Sequence, residues 1–500
     1  MEKEVMAEYK RRCFLFGLII ICVMIIISSA IKYIDVSKNE GVENIEASYH
    51  SLLIAKSLNE GTISEHHLLP VVTQGGDVNK EIPWGAAVRD KSGSYIYTSF
   101  PSVGFLVPAV FIKAFSLNYS IMSLLFLNLL ILASSSLIFF FALLKVFTPQ
   151  NRTQAILIAI ACSPLILSRE SLASTGLLYW PQSLSQLFIA ALVFSICKLI
   201  VSNKNVWLIA SVVSLYLLSM TEWTGYVIGG LSAIYFLVSK KRRDVRLSFA
   251  LLASMLVAAA TFATQLYTTL DLGEFVSASI ARFSVRSGGG ADFMALFAGY
   301  YQSYGLFLIA IPAFIILKLT NKIKRNDLAN LMVILLAFSL FENIILAQHA
   351  TSYTFDRLKL SLVISIMMCQ IFLVSKGKWL FAPVTFTIFS CALSFATYRS
   401  DVSQFRNWKD VQTANIAIAS KAMAVEGYDC ASIYNSTRVR AYLNLIMGRS
   451  VWERLPTENE KNAKSKCPLI VINGDIPFKD LQRITSIDVY RGGLLERQIH

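Results

Sequence analysis

The chain has 500 residues, of which 55% are hydrophobic and 16% charged, and its formal net charge is +14 at pH 7. So apolar a composition, with a mean hydropathy of +0.55, excludes an ordinary soluble domain and puts the chain among polytopic membrane proteins. The basic excess does not point to nucleic acid, because the lysines and arginines are dispersed over alternating loops and gather in no single patch.

A membrane-crossing helix needs about 20 apolar residues. Eleven segments meet or approach that length: 13–31, 121–146, 155–168, 183–201, 205–220, 223–238, 247–266, 303–319, 328–346, 360–375 and 379–397. The first ends in Ser28-Ser29-Ala30, which resembles a signal-peptidase site, but its apolar run fits an uncleaved anchor. Lys32 to Tyr97 then forms the first long hydrophilic stretch, rich in carboxylates, imidazoles, Trp and Tyr. A helix is predicted over 43–59, with Ile45, Tyr49, Leu52 and Leu53 as its apolar stripe. Glu43 and Glu46 stand about one turn apart, and His50 follows Glu46 by four residues.

Two readings of these acids stand side by side. A Glu in a water-poor cleft can take the proton of an acceptor hydroxyl during sugar transfer, and acids at a helix start also stabilise its dipole. Further on, His50, Trp84, Tyr95 and Tyr97 are candidates to stack on or hold a sugar, and such aromatic residues equally form interfacial belts. The adjacent His66 and His67 are no zinc site, since neighbouring side chains diverge. A divalent cation would need the fold to bring His66 together with Glu46 or Asp77. Val103 to Phe115 is too short to span and carries Pro108, which predicts an interfacial helix.

With the N-terminus inside, every second short loop is basic: Lys10 to Arg12, Lys145 and Arg152, Lys198 and Lys204, Lys240 to Arg246, Lys318 to Arg325, and Lys376 with Lys378. That pattern orients the crossings and puts both the Lys32–Tyr97 loop and the segment after Tyr398 outside. Further external loops are expected at Arg169–Gln182, Thr268–Gln302 and Gln348–Lys359. They carry Arg169, then Arg282 and Arg286 four apart, and the cluster His349, Tyr353, Asp356, Arg357 and Lys359. Arginine forks and lysine point charges match phosphate oxygens, so these are the candidates for a donor phosphate and its sugar. Arg357 and Lys359 could instead snorkel at a helix start. Glu222 is placed to pair with one of these arginines, and Ser287-Gly288-Gly289-Gly290 is flexible enough for a lid.

The last hundred residues read as a small α/β domain, with helices over 411–424 and 437–447 and strands over 431–434 and 469–472. Cys430 and Cys467 are its two cysteines; an oxidising compartment would allow them to pair, and the alternative is two buried free thiols. The division expected is therefore 1–31 for the tail and first span, 32–120 for the external loop with interfacial helices, 121–397 for ten more spans, and 398–500 for the external domain.

The stretch Glu46-Ala47-Ser48-Tyr49 … Ala55 … Leu58-Asn59-Glu60-Gly61, with Ser99-Phe100-Pro101-Ser102-Val103-Gly104 after it, resembles the first external loop of the GT-C superfamily. These are multi-spanning glycosyltransferases that use lipid-linked sugars, among them protein O-mannosyltransferases and the lipid A aminoarabinose transferase. Aligned on Tyr49, Ile45 stands where the family has its catalytic Asp, and the family's Lys-Pro-Pro is absent here. The resemblance implies an all-α polytopic fold of about eleven spans with a small external α/β domain. It implies transfer from a polyprenyl-phosphate sugar to a lipid, glycan or protein acceptor, with Glu46 as base and Glu43 beside it. Some members use a divalent cation. A bacterial inner membrane is expected, with the N-terminus cytoplasmic and the C-terminus periplasmic. The sequons at Asn118 and Asn435 keep a eukaryotic secretory membrane open. The competing readings are an O-antigen-polymerase-like enzyme and a flippase or transporter of lipid-linked glycans.

Overall fold

The computed structural model describes residues 2–74, 87–287, 292–323, 325–375 and 381–406, together with 430–434, 441, 445, 450–452, 469–471 and 488–490. The protein is an all-α polytopic membrane protein. In chain order the helices are α1 (Glu2–Ser37), α2 (Glu46–Glu60), α3 (Ile63–His66), α4 (Val103–Ala114), α5 (Ile121–Phe147), α6 (Arg152–Ile160), α7 (Ser163–Leu167), α8 (Arg169–Ser174), α9 (Pro181–Ser202) and α10 (Asn205–Ser219). They continue as α11 (Thr224–Val238), α12 (Val245–Thr269), α13 (Leu272–Ser287), α14 (Phe293–Tyr304), α15 (Ala310–Leu319), α16 (Asp327–Phe338), α17 (Phe341–Ile345), α18 (Ala347–Ser352), α19 (Leu360–Val374) and α20 (Phe381–Gln404). A 3-10 turn, Thr354–Lys359, leads into α19.

All eleven expected segments fall on helices. Eight described helices are long and apolar enough to cross a membrane, and the segments at 155–168, 205–220 and 223–238 form shorter apolar helices. Helices α10 and α11 have 15 residues each, about 22 Å at 1.5 Å per residue. Several starts are marked by side-chain caps: Ser120 Oγ accepts from Ser123 N–H, Asn151 Oδ1 from Gln154, Asp244 Oδ1 from Leu247, and Asn326 Oδ1 from Leu328 and Ala329. Each satisfies an otherwise orphaned first-turn donor.

The expected helix over 43–59 is α2, and its stripe of Ile45, Tyr49, Leu52 and Leu53 is buried. The span expected at 303–319 begins ten residues earlier, at Phe293. The added turns are α14, which runs from the apolar Phe293 and Met294 to Ser303 and Tyr304, both buried in the bundle rather than left in a loop. Most of the supposed loop 268–302 is consequently helical.

Two clusters of buried apolar side chains organise the described residues. The larger runs through the spans from Ile21 on α1 to Phe372 on α19. The second caps it, joining α2, α4 and the first turns of α5 and α9 through residues such as Leu52, Phe105, Leu125 and Trp180. A two-stranded ribbon, β1 (Ala87–Arg89) antiparallel to β2 (Tyr95–Tyr97), lies beside that cap.

Near the C-terminus, β3 (Cys430–Tyr434), β4 (Ser450–Trp452), β5 (Leu469–Val471) and β6 (Asp488–Tyr490) form a sheet in the order β4-β3-β5-β6. Strand β3 is parallel to β4 and β5, and β6 is antiparallel to β5. Strands expected at 431–434 and 469–472 are thus present. The helix expected over 411–424, most of the one over 437–447, the pairing of Cys430 with Cys467 and the glycines of the supposed lid lie outside the described residues.

The close turn between α10 and α11 depends on Gly225, where a Cβ would overlap the backbone of Ser219 and lie 2.5 Å from its Cα. Backbone cannot yield as a flexible side chain would. Gly225→Ala is therefore expected to cost about 1–3 kcal/mol, as overpacking does, and to lower the melting temperature of the detergent-purified protein.

Candidate functional site

Several charged residues at the end of the bundle that carries α2 converge on α8. Ser168 caps this helix by accepting from Ser171 N–H at 3.1 Å, which presents Arg169 and Glu170 in its first turn. Arg169 is 1% exposed; its Nε donates to Asp401 Oδ2 at 2.5 Å and its Nη1 to Glu170 Oε2 at 3.2 Å, while Nη2 stands 3.8 Å from Glu43 Oε2. Glu170 also accepts from Ser303 Oγ at 2.8 Å and from Ser174 Oγ. Burial works against the Arg169 charge, but the surrounding carboxylates outweigh it and raise the pKa. Its charge is matched within the protein, which makes Arg169 a brace between the first loop, α8 and α20.

Arg357 is different. The 3-10 turn that carries it is held by Tyr304 Oη, which donates to the carbonyls of Arg357 at 2.7 Å and Leu358 at 3.1 Å. Asn343 Nδ2 donates to the Asp356 carbonyl at 2.9 Å. The guanidinium rests on α14 at Gly299, where any Cβ would overlap Nη1 and come within 3.0 Å of Cζ. Its Nε and Nη1 are buried without a hydrogen-bond partner among the described residues. A buried donor left unpaired costs about 1–3 kcal/mol, more when charged, so this group is poised for an anion.

Its neighbours on the turn face elsewhere. Asp356 accepts from Gln182 Nε2 at 2.6 Å and pairs with His349 Nδ1. Lys359, expected at a phosphate, turns into the bundle, where Nζ lies 2.8 Å from Glu222 Oε1, 2.6 Å from Glu342 Oε2 and 2.6 Å from Thr224 Oγ1. Glu222 thus pairs with this lysine and not with an arginine.

An aromatic wall joins the first loop to this turn. Trp180 packs against His50, Tyr97, Phe100, Phe105 and Phe355 at centroid distances of 5.2–6.2 Å. Phe355 continues to Tyr353, and Tyr353 to His349 at 4.5 Å. The guanidinium of Arg282 lies 5.9 Å over the Tyr97 ring, a cation–π arrangement, and burial pushes its pKa down while Tyr97 opposes the shift. Arg286 follows one turn later on α13, near Tyr353. Glu46 sits 3.6 Å from His50 Nε2 and accepts from the backbone N–H of Ala441 at 2.7 Å.

Ring contacts, ion pairs and short-range electrostatics therefore link Glu43, Glu46, His50, Tyr97, Arg169, Arg282, Arg286, His349, Tyr353, Asp356 and Arg357 into one neighbourhood, with Lys359 directed away from it. Trp84 lies outside the described residues. Among the described residues no three His, Cys, Asp or Glu side chains converge as metal ligands, and no step below is routed through a metal. Glu170, Ser303, Asp401 and Gly299 are part of the site and carry no sequence motif. Only the pattern Arg169-Glu170 beside a span hinted at an internal pair.

No protein-family model matches the chain, and no curated protein matches it in sequence. Its fold, however, is that of solved GT-C membrane glycosyltransferases. ArnT from Cupriavidus metallidurans, bound to undecaprenyl phosphate, superposes with a TM-score of 0.55 at 12% identity, over 90% of this chain and 92% of that one. The archaeal oligosaccharyltransferase AglB from Archaeoglobus fulgidus, in complex with an inhibitory peptide and a dolichol-phosphate, gives 0.52 at 11% identity over 87% of this chain. The chain spans 64% of the length of that oligosaccharyltransferase. Its apo form gives 0.53. At such identities the likeness is one of fold.

Removing Lys359 would leave Glu222 and Glu342 facing each other in the bundle without a cation. Lys359→Met is expected to destabilise by about 3–5 kcal/mol, the cost of breaking a buried pair. Combining it with Glu222→Gln and Glu342→Gln should restore most of the melting temperature of the purified protein. An unchanged melting temperature in the single variant would show that the three side chains do not form this pair.

Proposed function

We propose that the protein transfers a sugar from a polyprenyl-phosphate-linked donor to a lipid, glycan or protein acceptor on the extracytoplasmic face of a bacterial inner membrane. The observation that carries this reading is Arg357, a buried guanidinium whose Nε and Nη1 lack hydrogen-bond partners among the described residues, within electrostatic reach of Glu43 and Glu170 and on the turn that joins the run of aromatic rings. On the same fold, ArnT was solved with undecaprenyl phosphate and AglB with a dolichol-phosphate.

The donor's phosphate oxygens accept from Arg357 Nε and Nη1, with Arg282 and Arg286 adding charge from α13. The acceptor's hydroxyl oxygen attacks the anomeric carbon as the bond from that carbon to the phosphate oxygen breaks. The leaving polyprenyl phosphate keeps the electron pair and the hydroxyl proton passes to a carboxylate. Arg357 favours the step because negative charge grows on the leaving oxygen, where fixed donors are worth most.

Glu43 suits the base better than Glu46. Its side chain is 37% exposed and lies within electrostatic reach of Arg357. Glu46 is 17% exposed and is engaged by His50 and the Ala441 N–H. Tyr97, Tyr353, His349 and His50 offer faces for the sugar.

The test is transfer from radiolabelled polyprenyl-phosphate sugars to a membrane glycolipid extract, using the full-length protein in lipid nanodiscs. Glu43→Gln is expected to lower kcat by about 10²–10⁴-fold, the usual worth of a general base, and Glu46→Gln by much less. The reverse order would return the base to Glu46, and transfer untouched by both would remove the assignment. No transfer from any donor would favour the polymerase-like or flippase reading.

Gly299→Ala should raise the donor KM as Arg357→Ala does, because it displaces the guanidinium from its seat. Since both act on one group, the double variant should be little worse than either alone. Additive losses would show that Gly299 acts independently.

A further inference from the structure

Helix α13 buries none of its residues completely, yet its sequence divides into three sectors at about 100° per residue. Phe275, Ala278, Arg282 and Arg286 form one sector. Phe275 and Ala278 pack against the apolar group of Met220, Phe262, Leu266 and Leu270, and Arg282 covers Tyr97. That sector faces the protein. About 120° away, Glu274, Ser277, Ala281 and Ser284 are exposed and polar or small, as a solvent side should be.

The third sector holds Leu272, Val276, Ile280 and Phe283. All four are large, apolar and exposed, Ile280 at 64%, and they fall within a stripe about 80° wide at that same spacing. Four such side chains on one helix outside the spans form a patch that water would not favour.

The neighbouring elements indicate what covers it. Helix α13 follows α12 after two residues, and α12 ends with Tyr267 exposed. The next span opens with Phe293, Met294 and Phe297, all more than 60% exposed, which is the lipid-facing surface of a crossing helix. The stripe is thus continuous in the chain with lipid-facing surface at both ends.

We infer that α13 lies in the interfacial layer of the outer leaflet, with Leu272, Val276, Ile280 and Phe283 in contact with lipid and Arg282 and Arg286 turned to the cleft. Amphipathic helices of this kind sink their apolar side about 5–10 Å into the boundary between head groups and acyl chains. A helix seated at such a boundary needs three environments, protein beside it, lipid below and water above, and α13 has a sector for each. The bilayer then sets the depth at which Arg282 and Arg286 stand, close to where a lipid phosphate resides. The lipid contact does not depend on whether the cleft transfers sugar.

The test uses the full-length protein in lipid nanodiscs with an environment-sensitive fluorophore on Ile280→Cys or Phe283→Cys. Ser277→Cys serves as the solvent-side control, and unsubstituted protein corrects for labelling of native cysteines. At positions 280 and 283 the expected result is blue-shifted emission that is lost when lipids with a nitroxide high on the acyl chain are included and that resists aqueous iodide. Position 277 should behave oppositely. Iodide quenching at 280 and 283 equal to that at 277 would overturn the inference. Protection there from both quenchers would also overturn it, and would point to a second protein copy as the cover.

Discussion

A membrane interior tolerates charge only in pairs, and this constraint organises the half of the protein that carries α2 and α8. A lone ion in a low-dielectric bundle costs several kcal/mol even after relaxation. Arg169 is accordingly enclosed by Glu170, Asp401 and Glu43, and Lys359 by Glu222 and Glu342. The first group ties the external loop after α1 to α8 and α20. The second ties the turn before α19 to the residues just before α11 and to α17. Because each charge is balanced by residues far away in sequence, the outer ends of these helices are fixed relative to one another.

Against that background Arg357 is informative. It sits two residues from Lys359 on the same turn, equally buried, yet two of its nitrogens lack hydrogen-bond partners among the described residues. The protein spends no carboxylate on it, although Glu170 and Glu43 are close enough to influence its charge. Glu170 is already engaged by Arg169 and two serines, and Glu43 stands 3.8 Å from Arg169 while staying partly open to water. The outcome is a cation held in position by Tyr304, Asn343 and the open backbone at Gly299, with its donors available. Trp180 completes the site by linking α2, β2 and this turn through ring contacts, so the acidic loop and the basic turn are held as one unit.

Much of the architecture was legible in the sequence, because spans and amphipathic helices are local patterns. The eleven apolar segments, the stripe of α2, the short helix with Pro108 and the strands at 431–434 and 469–472 each follow from periodicity within a window of residues. The site was legible only by residue type. Arg169, Arg357 and Lys359 look alike as basic residues beside spans, but one is braced, one has donors to spare and one turns inward. What separates them is the position of Asp401, Glu222 and Glu342, Arg169 and Asp401 alone being 232 positions apart. Gly299 carried no signal, since its role is the absence of a side chain where a guanidinium must fit.

The same distinction between local and distant information bears on the two loop acids. In sequence Glu46 stands nearest the family motif, and Glu43 is only its neighbour one turn earlier. In the fold they face different partners. Glu46, in the first turn of α2, accepts from the backbone N–H of residue 441 and stands 3.6 Å from His50 Nε2. Glu43 lies before the helix and reaches toward Arg169, leaving a carboxylate that is partly open to water and set in the field of two buried arginines. It also lies within electrostatic reach of the guanidinium proposed to hold the phosphate. A base and a phosphate clamp must act on opposite sides of one sugar carbon, so they have to share a cleft. For the transfer proposed above, Glu43 answers that requirement better than Glu46, because it lies within electrostatic reach of Arg357.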